Sequence, residues 1–317
     1  MNPNGSEHWM KESLPVLDRV RSVMAERDIS QATVAKEARL SATVLSQLFS
    51  GTYPGNVEAQ EAKLGTWLRG LAEKRATQQL IPDAPAFFEC TTSRELMNGF
   101  RYAQSIDDMV SIVGAPGIGK STTCREYQRT HSNVWLATMA AHTTGVVPVL
   151  REVCDAVSGS HANGASALAR EICRKIRGTG GLLIIDEAHH ISLQALDAIR
   201  ALHDSTDTAV ALVGSIELAG KLERMPQLYS RLGIRLNRPR VLTDDVNALM
   251  DAWQIQGRPE RRFVTSVAKG PGALRTVTKM LRLATSLARA NDESLTLQHI
   301  RDAADARSAR YDETGDE

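Results

Sequence analysis

Apolar residues in the first part of the chain recur with a helical period. From Leu14 to about Ala76 they lie three or four positions apart, and short polar or glycine-containing segments interrupt them at RDIS, ARLS and SGTYPGN. The pattern predicts a small all-α unit over residues 1–79. The segment LIPDAPAF follows, and its prolines cannot continue a helix, so residues 80–92 are predicted to be a linker.

The middle of the chain, residues 93–240, alternates apolar runs with amphipathic stretches. The segments DMVSIVG, NVWLATMA, GLLIIDE, AVALVGS and GIRLNRP look like strands, and helical patterns separate most of them. Continuous runs of Val, Ile and Leu are typical of strands that are covered on both faces. An α/β domain with a parallel sheet is therefore predicted.

The last part, residues 241–317, returns to the helical period. Its first stretch, TDDVNALMDAWQI, opens with a threonine suited to an N-cap and with acids in the first turn, where a helix favours negative charge. PERRFVTSVAK, PGALRTVTKMLRLATSLARA and TLQHIRDAADARSAR continue the pattern. These segments predict a helical C-terminal domain.

The composition narrows the class of protein. The 317 residues are 42% hydrophobic, which is enough for cores without disulfides. Lys and Arg (38) nearly balance Asp and Glu (37), so attraction to nucleic acid must come from local patches. No apolar run approaches the roughly 20 residues of a membrane span, so a soluble cytoplasmic protein is expected. The cysteines are widely spaced and predicted to be reduced and buried: Cys90, Cys124, Cys154 and Cys173.

The strongest motif is Gly-x-x-x-x-Gly-Lys-Ser, which begins at Gly114 and ends at Ser121. It follows the apolar run MVSIV and precedes the helical STTCREYQR, as a phosphate-binding loop (P-loop) requires. Backbone N–H groups and the helix dipole favour phosphate, Lys120 adds charge, and the Ser121 hydroxyl suits Mg²⁺. The residues predicted to bind ATP here are Gly114, Ala115, Pro116, Gly117, Ile118, Gly119, Lys120, Ser121 and Thr122.

An acidic pair follows the apolar strand in GLLIIDEAHH. A parallel sheet brings this strand end to the same edge as the P-loop, so Asp186 is predicted to hold Mg²⁺ and Glu187 to polarise the attacking water. DEAH is also a helicase motif, but the chain after Glu187 is too short for a second motor domain. His189 and His190 are therefore expected to be a surface or helix-start pair.

Three further residues are candidates for the nucleotide site. Ser215 ends a predicted strand, where its hydroxyl either reports the γ-phosphate or simply closes the strand. Arg231 is either a clamp on the γ-phosphate, in its own subunit or the next, or a surface salt-bridge residue. Arg275 begins a C-terminal helix, from which it reaches the nucleotide when the two domains close.

In this order the motifs resemble those of the AAA+ ATPase superfamily. Gly114 to Ser121 match Walker A, Asp186 and Glu187 Walker B, Ser215 sensor 1, Arg231 an arginine finger and Arg275 sensor 2. The segments REYQRTHSNVW, GLLIIDEAHH, LYSRLGIRL, DAWQIQG and KGPGALR resemble, more narrowly, the transposition target-selection ATPases of the phage Mu B family. This resemblance spans nearly the whole chain.

The resemblance implies an ATP-dependent protein, with Mg²⁺ as cofactor, in the cytoplasm of a bacterial host. It implies binding to double-stranded DNA with little sequence preference, self-association into a helical filament on that DNA, and delivery of the DNA to a transposase that the protein activates. The implied fold is an AAA+ P-loop domain with a helical lid after it. Two other functions stay open: a helicase-loader or secretion-type ATPase acting on a protein, and a helix-turn-helix regulatory NTPase.

The N-terminal unit fits a helix-turn-helix. One helix is predicted from Gln31, a turn at Leu40 and Ser41, and a second helix from Ala42 to Phe49. The second helix exposes no Arg or Lys, which favours weak or nonspecific docking on DNA over base readout. A helical protein-interaction module is the alternative.

Basic residues cluster in three places after the Walker motifs. The hypothesis is that at least one cluster lines the path of DNA, because a filament repeats each patch along the duplex. The first cluster, Lys221 to Arg240, has only Glu223 as an acid. The others are Arg258, Arg261 and Arg262, and Arg275, Lys279, Arg282 and Arg289.

Overall fold

The computed structural model describes residues 14–80, 87–159 and 162–308. The chain divides into two compact units, Met1–Pro82 and Asp83–Glu317, and each is described by itself. Most of the predicted linker LIPDAPAF lies outside the described residues.

The described part of the first unit is helical. Its elements are α1 (Val16–Arg27), α2 (Gln31–Glu37), α3 (Ala42–Ser50) and α4 (Val57–Leu80). Apolar residues from all four helices form one core, in which Val20, Val34, Leu45 and Leu64 are fully buried. The small unit is therefore held together by contacts between helices that are short on their own.

Serines set the starts of the two helices that match the predicted helix-turn-helix. The side chain of Ser30 accepts from the Thr33 backbone N–H at the start of α2, and Ser41 accepts from the Val44 N–H at the start of α3. Gly51 ends α3 in the left-handed conformation. Both helices thus begin where the sequence predicts them, and α3 ends one residue beyond the predicted Phe49.

The second unit is built on a sheet of parallel strands in the order β2-β3-β4-β1-β5. The strands are β1 (Met109–Gly114), β2 (Val134–Thr138), β3 (Leu182–Asp186), β4 (Ala209–Gly214) and β5 (Leu232–Arg238). Every residue of β1, β3 and β4 is buried, as the continuous apolar runs predict. All of the predicted strands are confirmed.

Helices cover both faces of the sheet. They are α5 (Thr91–Ile106), α6 (Lys120–Thr130), α7 (Val146–Val157), α8 (Ala165–Ile176), α9 (Leu193–Thr206), α10 (Ile216–Glu223) and α11 (Pro226–Tyr229), with a 3₁₀ turn at Ala188–His190. One core contains Phe100 of α5 and Tyr127 of α6, and the other contains Val153 of α7 and Ile199 of α9. The predicted α/β class is confirmed.

The lid is a separate helical layer of the same unit. Its helices are α12 (Thr243–Ala252), α13 (Arg258–Ala268), α14 (Ala273–Ala290) and α15 (Leu297–Ser308), which share a core around Met250 and Leu281. A buried contact ties the lid to α5: the carboxylate of Asp245 accepts from the Thr92 backbone N–H at 3.0 Å and from its hydroxyl at 2.5 Å. Since Asp245 is 0% exposed, the contact is shielded from bulk solvent.

Two expectations from composition meet the structure directly. Within the described residues, no helix combines the length and the apolar character that crossing a bilayer requires. All of the cysteines are free thiols, and Cys90, Cys124 and Cys154 are buried as predicted. Cys173 is the exception, since it is half-buried.

Candidate active site

The carboxyl ends of three neighbouring strands form the floor of the candidate site. Strand β1 ends at Gly114, β3 at Asp186 and β4 at Gly214. In an open parallel sheet, ligands bind outside this edge, where the strand order reverses. The strand order therefore brings together motifs that are far apart in sequence.

The P-loop approaches the lid backbone at a distance that only glycine allows. Gly117 has φ +81°, and a Cβ built on it would lie 1.9 Å from the carbonyl oxygen of Gly272. Gly119 has φ +100° and caps α6. Left-handed backbone without a side chain lets this loop turn its N–H groups inward at the start of a helix, which is the arrangement that binds phosphate.

Lys120 is the buried positive charge of the loop. It is 8% exposed, and its Nζ donates to the carbonyl oxygens of Gly114 at 2.8 Å and Ala115 at 2.9 Å. Burial lowers the pKa of Lys120, while the charges of Glu187 and Asp186 act in the opposite direction. The two carboxylates thus lie close enough to support an ammonium group at the base of the loop.

The two acids of the Walker B motif have different surroundings. Asp186 is 1% exposed and does not line the cavity itself; its Oδ1 accepts from the Glu187 backbone N–H at 2.9 Å. Glu187 leaves the strand with φ 54°, and its side chain lines the cavity. Asp186 is therefore buried outside the lining of the cavity, whereas Glu187 faces the cavity.

Three residues near Glu187 have surroundings that their sequence context does not show. The Oγ of Ser215 is buried without a hydrogen-bond partner among the described residues, and Ser215 lines the cavity. The pair His189 and His190, expected at the surface or at a helix start, lies in a 3₁₀ turn after Glu187, and both residues line the cavity. The turn brings the Nδ1 of His189 within 3.4 Å of the backbone nitrogen of Ser215, directly after β4. The sequence signal was the position directly after the Walker B acids.

The lid contributes a row of cations to the same cavity. Arg275, Lys279 and Arg282 lie on one face of α14 and line the space opposite the P-loop. Three members of this predicted DNA-binding cluster therefore face the candidate phosphate site. Arg275, the sensor-2 candidate, is one of these three residues.

Apolar and aromatic residues line another part of the cavity. Phe87 and Phe88 precede α5, and Leu274 lies in the first turn of α14. The cavity has a volume of about 770 Å³, which is ample for a nucleoside triphosphate. A flat apolar wall beside a cationic one suits a molecule with a base at one end and phosphates at the other. Phe87 and Phe88 carry no signal for this role in the sequence, because they lie in the predicted linker.

Arg231 lies apart from these groups. Its Nε pairs with the Oδ1 of Asp204 at 2.5 Å, its Nη1 donates to the Gln227 carbonyl at 2.9 Å, and it does not line the cavity. Burial raises the pKa of Asp204, but the hydrogen bonds and charges of Arg231 and Arg200 outweigh it and lower that pKa. Within one subunit Arg231 is thus a salt-bridge residue.

Two cations of the first basic cluster, Arg231 and Arg238, pair with acids other than Glu223, contrary to the expectation that the cluster faces only that acid. Lys221 donates to the carbonyl oxygens of His189 at 2.6 Å and Ile191 at 2.8 Å. Arg238 pairs with Glu95. Acids and carbonyls distant in sequence supply the missing partners.

Comparison with known proteins agrees with this geometry. The family model described as "AAA domain" matches residues 104–222, and the one described as "Mu B transposition protein, C terminal" matches residues 230–306. The "ATP-dependent target DNA activator B" of Escherichia phage Mu is 30% identical over 291 residues, covering 90% of this chain and 92% of that protein. The chain belongs to the Mu B transposition protein family.

Other members of the Mu B family are similar over a comparable length. The protein of the same name from Escherichia phage D108 is 30% identical and covers 90% of this chain and 92% of its own. The "Mu-like prophage FluMu DNA transposition protein B" of Haemophilus influenzae is 29% identical over 84% of this chain and 95% of that protein. The AAA domain and this family make the chain an ATPase with a place in DNA transposition.

Solved structures share the fold of this Mu B family member. The Aeropyrum pernix ORC2 protein superposes with a TM-score of 0.54 at 17% identity, covering 69% of this chain and 67% of that chain. The Aeropyrum pernix ORC1 protein in complex with DNA gives a TM-score of 0.54 at 16% identity, covering 73% and 69%. These likenesses confirm the AAA+ fold.

Proposed function

We propose that this ATPase binds target DNA when ATP is bound, assembles into a helical filament on the DNA, and delivers the DNA to a transposase that it activates. The observation that carries the proposal is the match, over 90% of the chain, to proteins named ATP-dependent target DNA activator B. Little sequence preference is expected, because the predicted recognition helix α3 presents Thr43 and Ser46, and no cation, to solvent.

The residues of the cavity fit ATP. The N-terminus of α6 and Lys120 take the phosphates, Arg275 approaches them from the lid, and Phe87 and Phe88 provide the apolar wall for the base. Gly117 of the P-loop and Gly272 of the lid are in close contact, and residues of the loop and of the lid line opposite sides of one cavity. Binding between these two sides links the position of the lid to the nucleotide.

Hydrolysis is assigned to the acidic edge of the cavity. The carboxylate of Glu187 faces the cavity and orients and polarises the attacking water, and the unpartnered Ser215 hydroxyl is free to contact the γ-phosphate. Ser121 and Asp186 offer hard oxygen donors, which fit Mg²⁺. The metal would neutralise charge on the phosphates when bound. Arg231 is proposed to act in a neighbouring subunit, after exchanging Asp204 for phosphate.

The second basic cluster is the surface proposed for DNA. Arg258 and Arg262 are exposed on α13, whereas Arg261 pairs with Asp251. They do not line the cavity, in contrast to the cations of α14. A filament repeats this pair along the duplex, so modest charge per subunit gives strong, salt-sensitive binding.

Electron microscopy of the full chain with long nonspecific duplex DNA tests the proposal, with ADP, ATP and a slowly hydrolysed analogue in parallel. Filaments are expected only with DNA and a triphosphate. Lys120→Ala removes the phosphate-binding cation and should give none, while Glu187→Gln should retain ATP and keep its filaments. Isolated particles of the wild type in every condition would overturn the filament function and leave an ATPase with an unassigned partner.

The DNA surface is tested with the same assay. Reversing charge with Arg258→Glu and Arg262→Glu should abolish filaments yet leave ATP binding unchanged, because neither residue lines the cavity. Asp251→Asn on the neighbouring helix removes the partner of Arg261 without removing a cation, so it should not weaken the filaments. Normal, equally salt-resistant filaments from the double variant would exclude this surface.

A further inference from the structure

His189 lies between the catalytic carboxylate and the end of the neighbouring strand. Its Nδ1 is 3.4 Å from the Oε2 of Glu187 and also 3.4 Å from the backbone nitrogen of Ser215, which begins the segment after β4. The side chain is 14% exposed, so water competes little for these contacts. The Nδ1 atom therefore lies near both Glu187, which is assigned to the attacking water, and Ser215, which is assigned to the γ-phosphate.

A single imidazole nitrogen cannot satisfy both partners at once. Carrying a hydrogen, Nδ1 donates to the Glu187 carboxylate; carrying a lone pair, it accepts the Ser215 N–H. Burial, followed by the charge of His190, lowers the pKa of His189, so the ring is neutral near pH 7 and its tautomer decides between the two bonds. Glu217 and Lys120 are the other charged groups that act on the ring.

The backbone under the ring is fixed. The Nζ of Lys221, on α10, donates to the His189 carbonyl at 2.6 Å and to the Ile191 carbonyl at 2.8 Å, and so holds the middle of the turn and the residue that follows it. The ring of His190 packs against His189 with centroids 4.1 Å apart. With the main chain held, the choice of hydrogen-bond partner is left to the ring itself.

We propose that His189 is a positioning residue for ATP hydrolysis, which holds the Glu187 carboxylate in one state and the Ser215 backbone in the other. A ligand that draws the Ser215 segment toward itself frees Nδ1 for Glu187, and the carboxylate is then held for the attacking water. The proposal rests on the role of Glu187 in the proposed function. It makes hydrolysis, but not ATP binding, depend on Nδ1.

The test compares substitutions that keep or remove a polar atom at the Nδ1 position. An asparagine amide has its nitrogen and oxygen as far from Cα as Nδ1, whereas glutamine places them one bond further out. In the full chain, His189→Phe and His189→Gln should lower single-turnover hydrolysis by about tenfold, the effect of losing one hydrogen bond to a charged group. His189→Asn should stay within about threefold of wild type, and all three should bind a fluorescent ATP analogue with affinity within about twofold.

His203→Phe is the matched control. It also removes a half-buried histidine whose Nδ1 is hydrogen-bonded, to the Thr208 carbonyl at 2.9 Å, but it does not line the cavity. Hydrolysis by this variant should equal that of wild type. Should His189→Phe not fold, the comparison of asparagine with glutamine decides alone.

Two results would overturn the inference. If His189→Gln hydrolyses ATP at the wild-type rate, Nδ1 is not needed. If His189→Asn and His189→Gln lose hydrolysis equally and also lose ATP affinity, His189 has a role in packing only. Glu187→Gln separates this from failure of the proposed function. If Glu187→Gln hydrolyses ATP at the wild-type rate, the assignment of Glu187 fails; if only the His189 variants are unaffected, the positioning role alone fails.

Discussion

Replacing Gly117 by alanine is the sharpest test of how closely the P-loop and the lid approach each other. The new Cβ would lie 1.9 Å from the carbonyl oxygen and 2.6 Å from the carbonyl carbon of Gly272. Both contacts are far inside van der Waals distance, and the neighbour is backbone, which cannot rotate aside as a side chain does. The lid, the loop or both must move.

The magnitude follows from two terms. Holding a residue other than glycine in the left-handed region costs about 1–3 kcal/mol. In addition, the Gly272 carbonyl oxygen must retreat by about 1.5 Å to reach ordinary van der Waals contact distance. That carbonyl accepts the Thr276 N–H at 3.2 Å in the first turn of α14, so its retreat displaces the helix start that carries Arg275. We expect ATP affinity to fall at least tenfold, which corresponds to about 1.4 kcal/mol.

Titration with a fluorescent ATP analogue and urea unfolding provide the measurements. Gly220→Ala is the matched control in the same unit, because Gly220 lies on α10 with no heavy atom within 4 Å of a built Cβ. Alanine should stabilise that helix by up to about 1 kcal/mol. If Gly117→Ala has wild-type ATP affinity and the same free energy of unfolding as wild type, the close approach of loop and lid does not exist.

Two further predictions concern contacts within the second unit. Asp245→Asn replaces one of the oxygens that accept from Thr92 with a donor, so the free energy of unfolding, measured in urea, should fall by about 1–3 kcal/mol. The control Asp244→Asn changes the exposed residue just before it and should cost less than about 1 kcal/mol. Equal effects of the two substitutions would contradict the buried contact. Because the pKa of Asp204 is lowered, its pair with Arg231 contributes at neutral pH, and this contribution disappears as pH falls through the lowered pKa. Arg231→Met should therefore lower the free energy of unfolding at pH 7 by less than about 1 kcal/mol, because the pair is partly exposed. The loss should be smaller in acid. A loss that does not change with pH would refute the pairing.

The sequence alone determined those parts of the protein whose structure depends on residues close together along the chain. The P-loop is one run of adjacent residues ending at Ser121, and its glycines, lysine and serine fix its chemistry wherever the loop lies. The helix starts at Ser30 and Ser41 depend on hydrogen bonds to N–H groups three residues on. Strands β1, β3 and β4 are continuous apolar runs because both faces of the sheet are covered.

Only the tertiary structure decided which distant residues meet. Arg231 had two interpretations, and packing of β5 and α11 near α9 gave it Asp204, 27 residues away. The turn after Glu187 brought His189 to Ser215, 26 residues on, and the lid brought Asp245 to Thr92 across 153 residues. The physical reason is that hydrogen bonds and ion pairs depend on ångström-scale positions, which are set by how helices and strands pack, whereas sequence spacing records only neighbours along one element.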